Sequence, residues 1–267
     1  MLKALNPHPN DCLIHFDEKP HLYYVNGVKI ESSVTTFIHK QFPAFDANKI
    51  AESVYKKHFT NKKSPYFEMT VDDIKKSWEE NRVKAATSGT KLHKSIEQFY
   101  NEEHVYIDEN IKTDVEWSYF MNFVNDHPEL KAYRTEWEIF DTELNLAGSI
   151  DMVFKKKTED GKESFTIYDW KKSKEIRTKN DFESGFEPVE HLPNCNYWHY
   201  SLQLNVYKRI LETKYGLNID GMHLIVLHEN NKNYKHYEVP LLEDEVDALF
   251  DARRRTFLQM KQAQSTL

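Results

Sequence analysis

Three consecutive runs, Ala132 to Phe140, Leu146 to Phe154 and Ser164 to Trp170, alternate apolar and polar residues between stretches of helical periodicity. A period of two sends successive side chains to opposite faces, so each run suits a half-buried strand. The connections are short, and the second contains Asp160-Gly161, a strong hairpin-turn dipeptide. Helical spacing recurs before these runs, from Thr90 to Tyr100 and Asp114 to Asn125, and after them, from Asn196 to Tyr215. Two further strand-like runs follow, Gly221 to Leu227 and Tyr234 to Val239, and a charged amphipathic helix from Glu243 to Gln262 closes the chain. This order predicts an α/β fold with a mixed central sheet flanked by helices.

Additions precede that core. Cys12 to Phe16 and Leu22 to Ile30 read as a hairpin with turns at Asp17-Glu-Lys-Pro20 and Asn26-Gly27, and Ser32 or Ser33 caps a helix through about Phe42. Ile50 to Phe59 is a second short helix. Thr70-Val-Asp-Asp73 resembles a capping box, opening a helix that Gly89 is expected to interrupt. Glu175 to Pro193 is a loop long enough to suggest a functional or partly mobile segment. The expected organisation is one domain over 1–267, with a hairpin and helical part at 1–88, a core at 89–240 and a terminal helix at 241–267.

The net charge of −7 excludes an indiscriminately basic nucleic-acid coat, but not an enzyme with a local basic groove. Lysines do cluster, at Lys155 to Lys157 and at Lys171, Lys172, Lys174 and Lys179 with Arg177. Cys12 and Cys195 lack a metal-binding spacing and suit a reducing compartment. The amino terminus lacks a signal-peptide pattern, and no apolar run matches the thickness of a bilayer. The expectation is a cytoplasmic protein with no membrane partner.

Four segments carry chemistry. In Gly89-Thr-Lys-Leu-His93-Lys-Ser-Ile-Glu97 the four-residue spacing places Gly89, His93 and Glu97 on one helical stripe. Gly148-Ser-Ile-Asp151 supplies a strand acid. Asp169-Trp170-Lys171 supplies a second acid and an amine on one face, with Trp170 on the other. Gln203 and Tyr207 share one face of a later helix. A hairpin would bring Asp151, Asp169 and Lys171 together, and two acids for a hard divalent cation beside a lysine suit phosphodiester cleavage.

This ordered set, GxxxH, GxxD, DWK and QxxxY, resembles the RecB-like and lambda-exonuclease-like branch of the PD-(D/E)XK nuclease superfamily. That circle includes the mitochondrial genome maintenance exonuclease and phage or large-DNA-virus exonucleases. The motifs cover roughly residues 89 to 210, and His21-Leu-Tyr-Tyr-Val-Asn-Gly27 with Ser32-Ser-Val-Thr-Thr36 looks like the leader of the viral members. The resemblance implies a restriction-endonuclease-like core and a DNA exonuclease acting on ends or single strands in replication, repair or recombination. A structure-specific or restriction-like endonuclease and a catalytically inactive nucleic-acid-binding module are the alternatives.

By the same resemblance His93, Asp151, Asp169 and the Trp170 backbone carbonyl bind one or two Mg²⁺ or Mn²⁺ ions. Lys171 orients or deprotonates the attacking water, Gln203 positions Lys171 or the scissile strand, and Tyr207 packs beneath the site or touches the nucleic-acid backbone. Two cysteines cannot hold the iron–sulfur cluster found in some relatives. DNA is the implied partner; a recombination or replication protein and an oligomer are left open.

Other readings stand beside these. Glu97 is a supporting carboxylate or a solvated helix residue. Glu136 and Glu138 precede the Asp151 strand and share its face by alternation; Glu136 points into the site or lies at an exposed edge. Lys172, Lys174 and Tyr200 are nucleic-acid-binding candidates, while Trp198, His199 and Tyr200 stack on bases or plug the core. Lys155 to Lys157 and Arg253 to Arg255 are solvated faces or phosphate contacts.

Overall fold

The computed structural model describes residues 1–157 and 161–264, so Asp160 of the expected turn lies outside the described residues. The chain divides into two compact units, Ala44–Lys94 and the remainder, Met1–Pro43 with Ser95–Leu267.

The larger unit begins with a short helix α1 (Leu2–Leu5) and a 3₁₀ turn (Pro9–Cys12). A small antiparallel sheet follows: β1 (Ile14–Asp17), β2 (Leu22–Val25) and β3 (Val28–Lys29). Asn26 and Gly27 take φ of 51° and 75°, the left-handed pair that a tight hairpin turn demands. Strand β4 (Ser32–Ser33) leads into helix α2 (Val34–His39), and the Ser33 side chain accepts the Thr36 amide as the expected cap.

The main sheet contains β5 (Lys131–Asp141), β6 (Leu146–Lys157), β7 (Glu163–Lys171), β8 (Ile219–Val226) and β9 (Lys235–Glu238), ordered β4-β6-β7-β8-β9 with β5 on the other edge of β6. The β5–β6, β6–β7 and β8–β9 pairs are antiparallel, whereas β4–β6 and β7–β8 are parallel, so the expected mixed sheet is present. Joining parallel β7 and β8 takes a crossover, which helix α6 (Asn196–Lys214) supplies.

Alternation along β7 divides the cores. Phe165 and Ile167 join a cluster with Leu202, Val206 and Ile210 of α6 and Val246 and Phe250 of α7 (Glu243–Gln264). On the opposite face Trp170 packs edge-on against Phe120 and Phe123 of helix α5 (Val115–Asp126) and stacks parallel to Tyr100 at 6.5 Å. Asp169 and Lys171 therefore extend the α6 face.

The smaller unit contains helix α3 (Ala47–His58), capped by Asp46, and most of helix α4 (Val71–Tyr100). Thr70 and Asp73 exchange backbone and side-chain bonds of 3.0 and 3.2 Å, which is the capping box. Gly89 does not interrupt α4, contrary to the expectation. A lone glycine costs about 1 kcal/mol relative to alanine, too little to break thirty residues in which good helix formers such as Lys and Glu recur.

The 175–193 loop is also better tied than its length suggests. Ser184 and Pro193 form a β-bridge, Gly185 donates to Leu192, and Asn194 donates to Glu183. No helix among the described residues is long and apolar enough to cross a membrane.

Candidate active site

Strand β6 has an open stretch on one edge. β4 covers Leu146 and Ala147 and β7 covers Met152 to Lys157, which leaves 148–151 between them. Asp151 ends this stretch. Its Oδ2 accepts the Trp170 amide at 2.9 Å, so a side chain holds the donor that points from β7 across the gap. Ile150 and Val153 both enter the α6-side core, three residues apart instead of two, so the alternation of β6 slips across Asp151.

The partner strand is irregular at the same level. Glu136 of β5 takes φ of 41°, a left-handed conformation uncommon for a non-glycine residue and a mark of functional positions. Trp137 then enters the α6-side core, while Thr135 accepts a bond from Asn101. Strict alternation put Glu136 and Glu138 on the Asp151 face; the local inversion sets Glu136 apart. Its Oε2 accepts the Ser149 hydroxyl at 3.1 Å, and it offers a carboxylate oxygen within 4.8 Å of one from Asp151.

Asp169 is buried on β7, and Lys171 Nζ lies 2.6 Å from its Oδ2. The same ammonium sits 4.7 Å from the centre of the Tyr200 ring. Burial works against the Lys171 charge, but Asp169 and then Asp151 more than offset it and raise its pKa, so the amine stays protonated. The expected sharing of one face by Asp169 and Lys171 is realised as a buried ion pair.

Helix α6 roofs this end of the sheet. Gly148 supplies the close approach: a Cβ there would meet Tyr207 Cε1 at 2.7 Å and the hydroxyl oxygen at 2.8 Å. Tyr207 is buried, and desolvation raises its hydroxyl pKa well above the ordinary range. Gln203 donates to Tyr207 Oη at 3.5 Å and accepts from the Thr35 hydroxyl at 3.4 Å. Tyr23 of β2 has its pKa raised by burial, then by the charges of Glu138, Glu136 and Asp151, which places its hydroxyl in the same electrostatic field.

These residues belong to a pattern larger than the site. A model of the PD-(D/E)XK nuclease superfamily matches residues 65–266. The chain belongs to the PD-(D/E)XK nuclease superfamily. Members of this superfamily are metal-dependent nucleases, and the mixed sheet flanked by helices is consistent with its core. No curated protein matches the chain. It is similar to a solved structure described as "Crystal structure of SSO0001", with 11% identity, a TM-score of 0.31, and coverage of 85% of this chain and 75% of that one.

Within the larger unit of this superfamily member, Glu136, Asp151, Asp169, Lys171, Gln203 and Tyr207 converge as described. Glu97 occupies α4 one turn before Asn101, and His93 lies in the turn before that. Lys172 Nζ is 2.9 Å from the buried Glu116 carboxylate of α5, an ion pair holding it to the face opposite α6. Tyr200 underlies Lys171. Trp198 Nε1 donates to the Thr178 carbonyl, and His199 packs on Phe42 at 4.1 Å. Lys155 pairs with Glu163 and Lys156 with Asp220. Arg253 binds the carbonyls of Leu144 and Asn145.

Sequence reasoning gave no individual role to Tyr23, Thr35 or Ser149. Ser149 was legible as the polar residue beside Gly148, but Tyr23 and Thr35 join the site from more than a hundred residues away, and no local pattern encodes that contact.

Proposed function

We propose that this protein is a Mg²⁺- or Mn²⁺-dependent deoxyribonuclease of the RecB-like, lambda-exonuclease-like branch, acting as an exonuclease on DNA ends or single strands. One observation carries the reading: the buried Asp169–Lys171 pair stands beside Asp151, whose carboxylate faces Glu136 across the irregular stretch of β5 and β6.

The donor set fits the metal. Asp151 and Glu136 supply closely spaced oxygens, and the family resemblance adds the His93 imidazole, Asp169 and the Trp170 carbonyl as further ligands. Oxygen-rich sets with a single nitrogen suit Mg²⁺ or Mn²⁺ over Zn²⁺. When bound, the cation polarises the phosphate and lowers the pKa of water.

The chain's own groups do the rest. Lys171, held at 2.6 Å by Asp169, orients or deprotonates the attacking water and offsets charge that develops on the phosphate in hydrolysis. Gln203, Thr35 and Tyr207 hold α6 against Gly148 and so fix the strand that carries Asp151. Glu97 supports His93 from the next turn of α4.

End-labelled linear and circular DNA, single- and double-stranded, incubated with each metal, tests the reading. Linear DNA should be shortened from its ends with Mg²⁺ or Mn²⁺ and left whole with chelator, while circles persist. Asp151→Ala and Asp169→Ala should abolish cleavage, and Lys171→Ala should lower kcat about 10²- to 10³-fold. Cutting of closed circles would replace the exonuclease with an endonuclease on the same residues. No cleavage of any substrate with either metal would overturn the nuclease reading.

A further inference from the structure

Immediately after Lys171 the chain leaves β7 and lines an open cleft of about 600 Å³ with Lys174, Arg177, Lys179 and Phe182. Asn194 to Asn196, at the start of α6, form its other wall, so the cleft lies between the loop that follows Lys171 and the first turn of the helix that carries Gln203. Lys174, Arg177 and Lys179 outnumber Glu175 and Asp181 on its lining by one, in a chain of net charge −7. Arg177 pairs with Glu175 at 3.0 Å, whereas Lys174 and Lys179 make no ion pair among the described residues.

Phe182 is the unusual member. It is 94% exposed, although the backbone on both sides is fastened. Its amide and that of Glu183 donate to Asn180 Oδ1 at 3.0 and 3.2 Å, and Asn180 Nδ2 donates to the Asn194 carbonyl at 2.7 Å. Further back the loop is sewn to α6: Arg177 N donates to Asn196 Oδ1, and Asn196 Nδ2 to the Glu175 carbonyl. A phenyl ring on a loosely tied loop would fold back onto apolar surface; this one is held in water by its own backbone bonds. Cations spaced along one wall and an aromatic face at the end are what a flexible polyanion with flat bases fits. Away from its ends, duplex DNA keeps its bases stacked inward and offers no free face to Phe182.

We propose that this cleft is a single-stranded nucleic-acid binding site, with phosphates along Lys174, Arg177 and Lys179 and one unpaired base stacked on Phe182, leading the strand to Lys171. The inference rests on the nuclease reading and narrows its substrate to strands that are unpaired at the point of entry.

The test uses the full chain and a labelled oligothymidylate in chelator, titrated by fluorescence anisotropy across a salt series, with a relaxed, covalently closed duplex circle titrated as the unlabelled competitor for comparison. Phe182→Ala should weaken oligothymidylate binding about 5- to 50-fold with the salt slope unchanged, and Phe182→Tyr should restore it. Lys174→Gln with Lys179→Gln should reduce the salt slope by about 1.4, the value for two phosphates of a single strand left without a cation. Equal affinity of Phe182→Ala and the parent for oligothymidylate overturns the proposal, as does an equal loss on the duplex. The two readings separate cleanly. Cleavage by the parent with no Phe182 effect removes the cleft and leaves the nuclease, whereas Phe182-dependent binding without cleavage removes the nuclease and leaves the cleft.

Discussion

Gly148→Ala is the substitution that most directly probes how the fold holds its site. Gly148 has no left-handed φ, so the backbone accepts alanine, and by itself the loss of unfolded-chain freedom would stabilise by about 0.4–1 kcal/mol. Space decides the sign. The new methyl would lie 2.7 Å from Tyr207 Cε1, and Tyr207 is buried beneath α6 with Gln203 on its hydroxyl, so it cannot swing aside. Overpacking of this kind costs about 1–3 kcal/mol, which leaves a net loss of up to about 2.6 kcal/mol. For a chain of this size that is a fall in Tm of up to about 10 °C. Because Asp151 lies three residues along the same strand, cleavage should fall more than stability does. Urea denaturation of Gly148→Ala, Tyr207→Leu and the double variant checks this. The double variant should be more stable than the sum of the single losses predicts, since removing the ring removes the clash. Strict additivity, or a Gly148→Ala protein more stable than the parent, would refute the steric argument.

Two further outcomes follow from buried charge. Arg134 holds Asp11 through bonds of 2.8 and 3.0 Å, and Trp137 Nε1 adds a third at 3.0 Å. Burial pushes the Asp11 pKa up, but the Arg134 bonds prevail and depress it, so this stability is present above the ordinary carboxylate range and lost as pH falls through the folded pKa. Arg134→Met should cost about 3–5 kcal/mol near neutral pH, read by urea denaturation, and the gap to the parent should narrow below about pH 3.9. His199, buried against Phe42 and beside His39, has its pKa lowered to about 4, first by desolvation and then by His39. Its contribution is complete above the unfolded value near 6.5 and lost as pH falls toward 4. Discounted for partial exposure, that is on the order of 1–2 kcal/mol. His199→Phe should therefore flatten the pH dependence of Tm over that window; an unchanged slope would remove His199 as its source.

The local elements were readable because their causes are local. Period-two alternation located β5, β6 and β7, and the Asn26-Gly27 turn and the Ser33 cap follow from side chains within four residues of their targets. Gly148, Asp151, Asp169, Lys171, Gln203 and Tyr207 could be assigned to their elements for the same reason. Gly89 misled because a sequence break signal was weighed without the length of helix on either side. The restraints of the 175–193 loop were not legible because they are single hydrogen bonds from Asn180, Asn194 and Asn196, which leave no periodic trace.

The sequence by itself determined the strand and helix order, the mixed sheet, and a row of acids with one lysine at the ends of adjacent strands. Tertiary structure alone decided how those groups meet. Glu136 reaches Asp151 only because β5 inverts at φ 41°, which strict alternation cannot express. Asp151 is held by the Trp170 amide only because pairing between β6 and β7 stops at Met152. Tyr207 presses on Gly148 only because α6 crosses the sheet at that point. Periodicity reports which way a side chain faces within its own segment. Bulges, lapsed ladders and close helix crossings are settled by packing between segments distant in the chain, and that is where this site acquires its geometry.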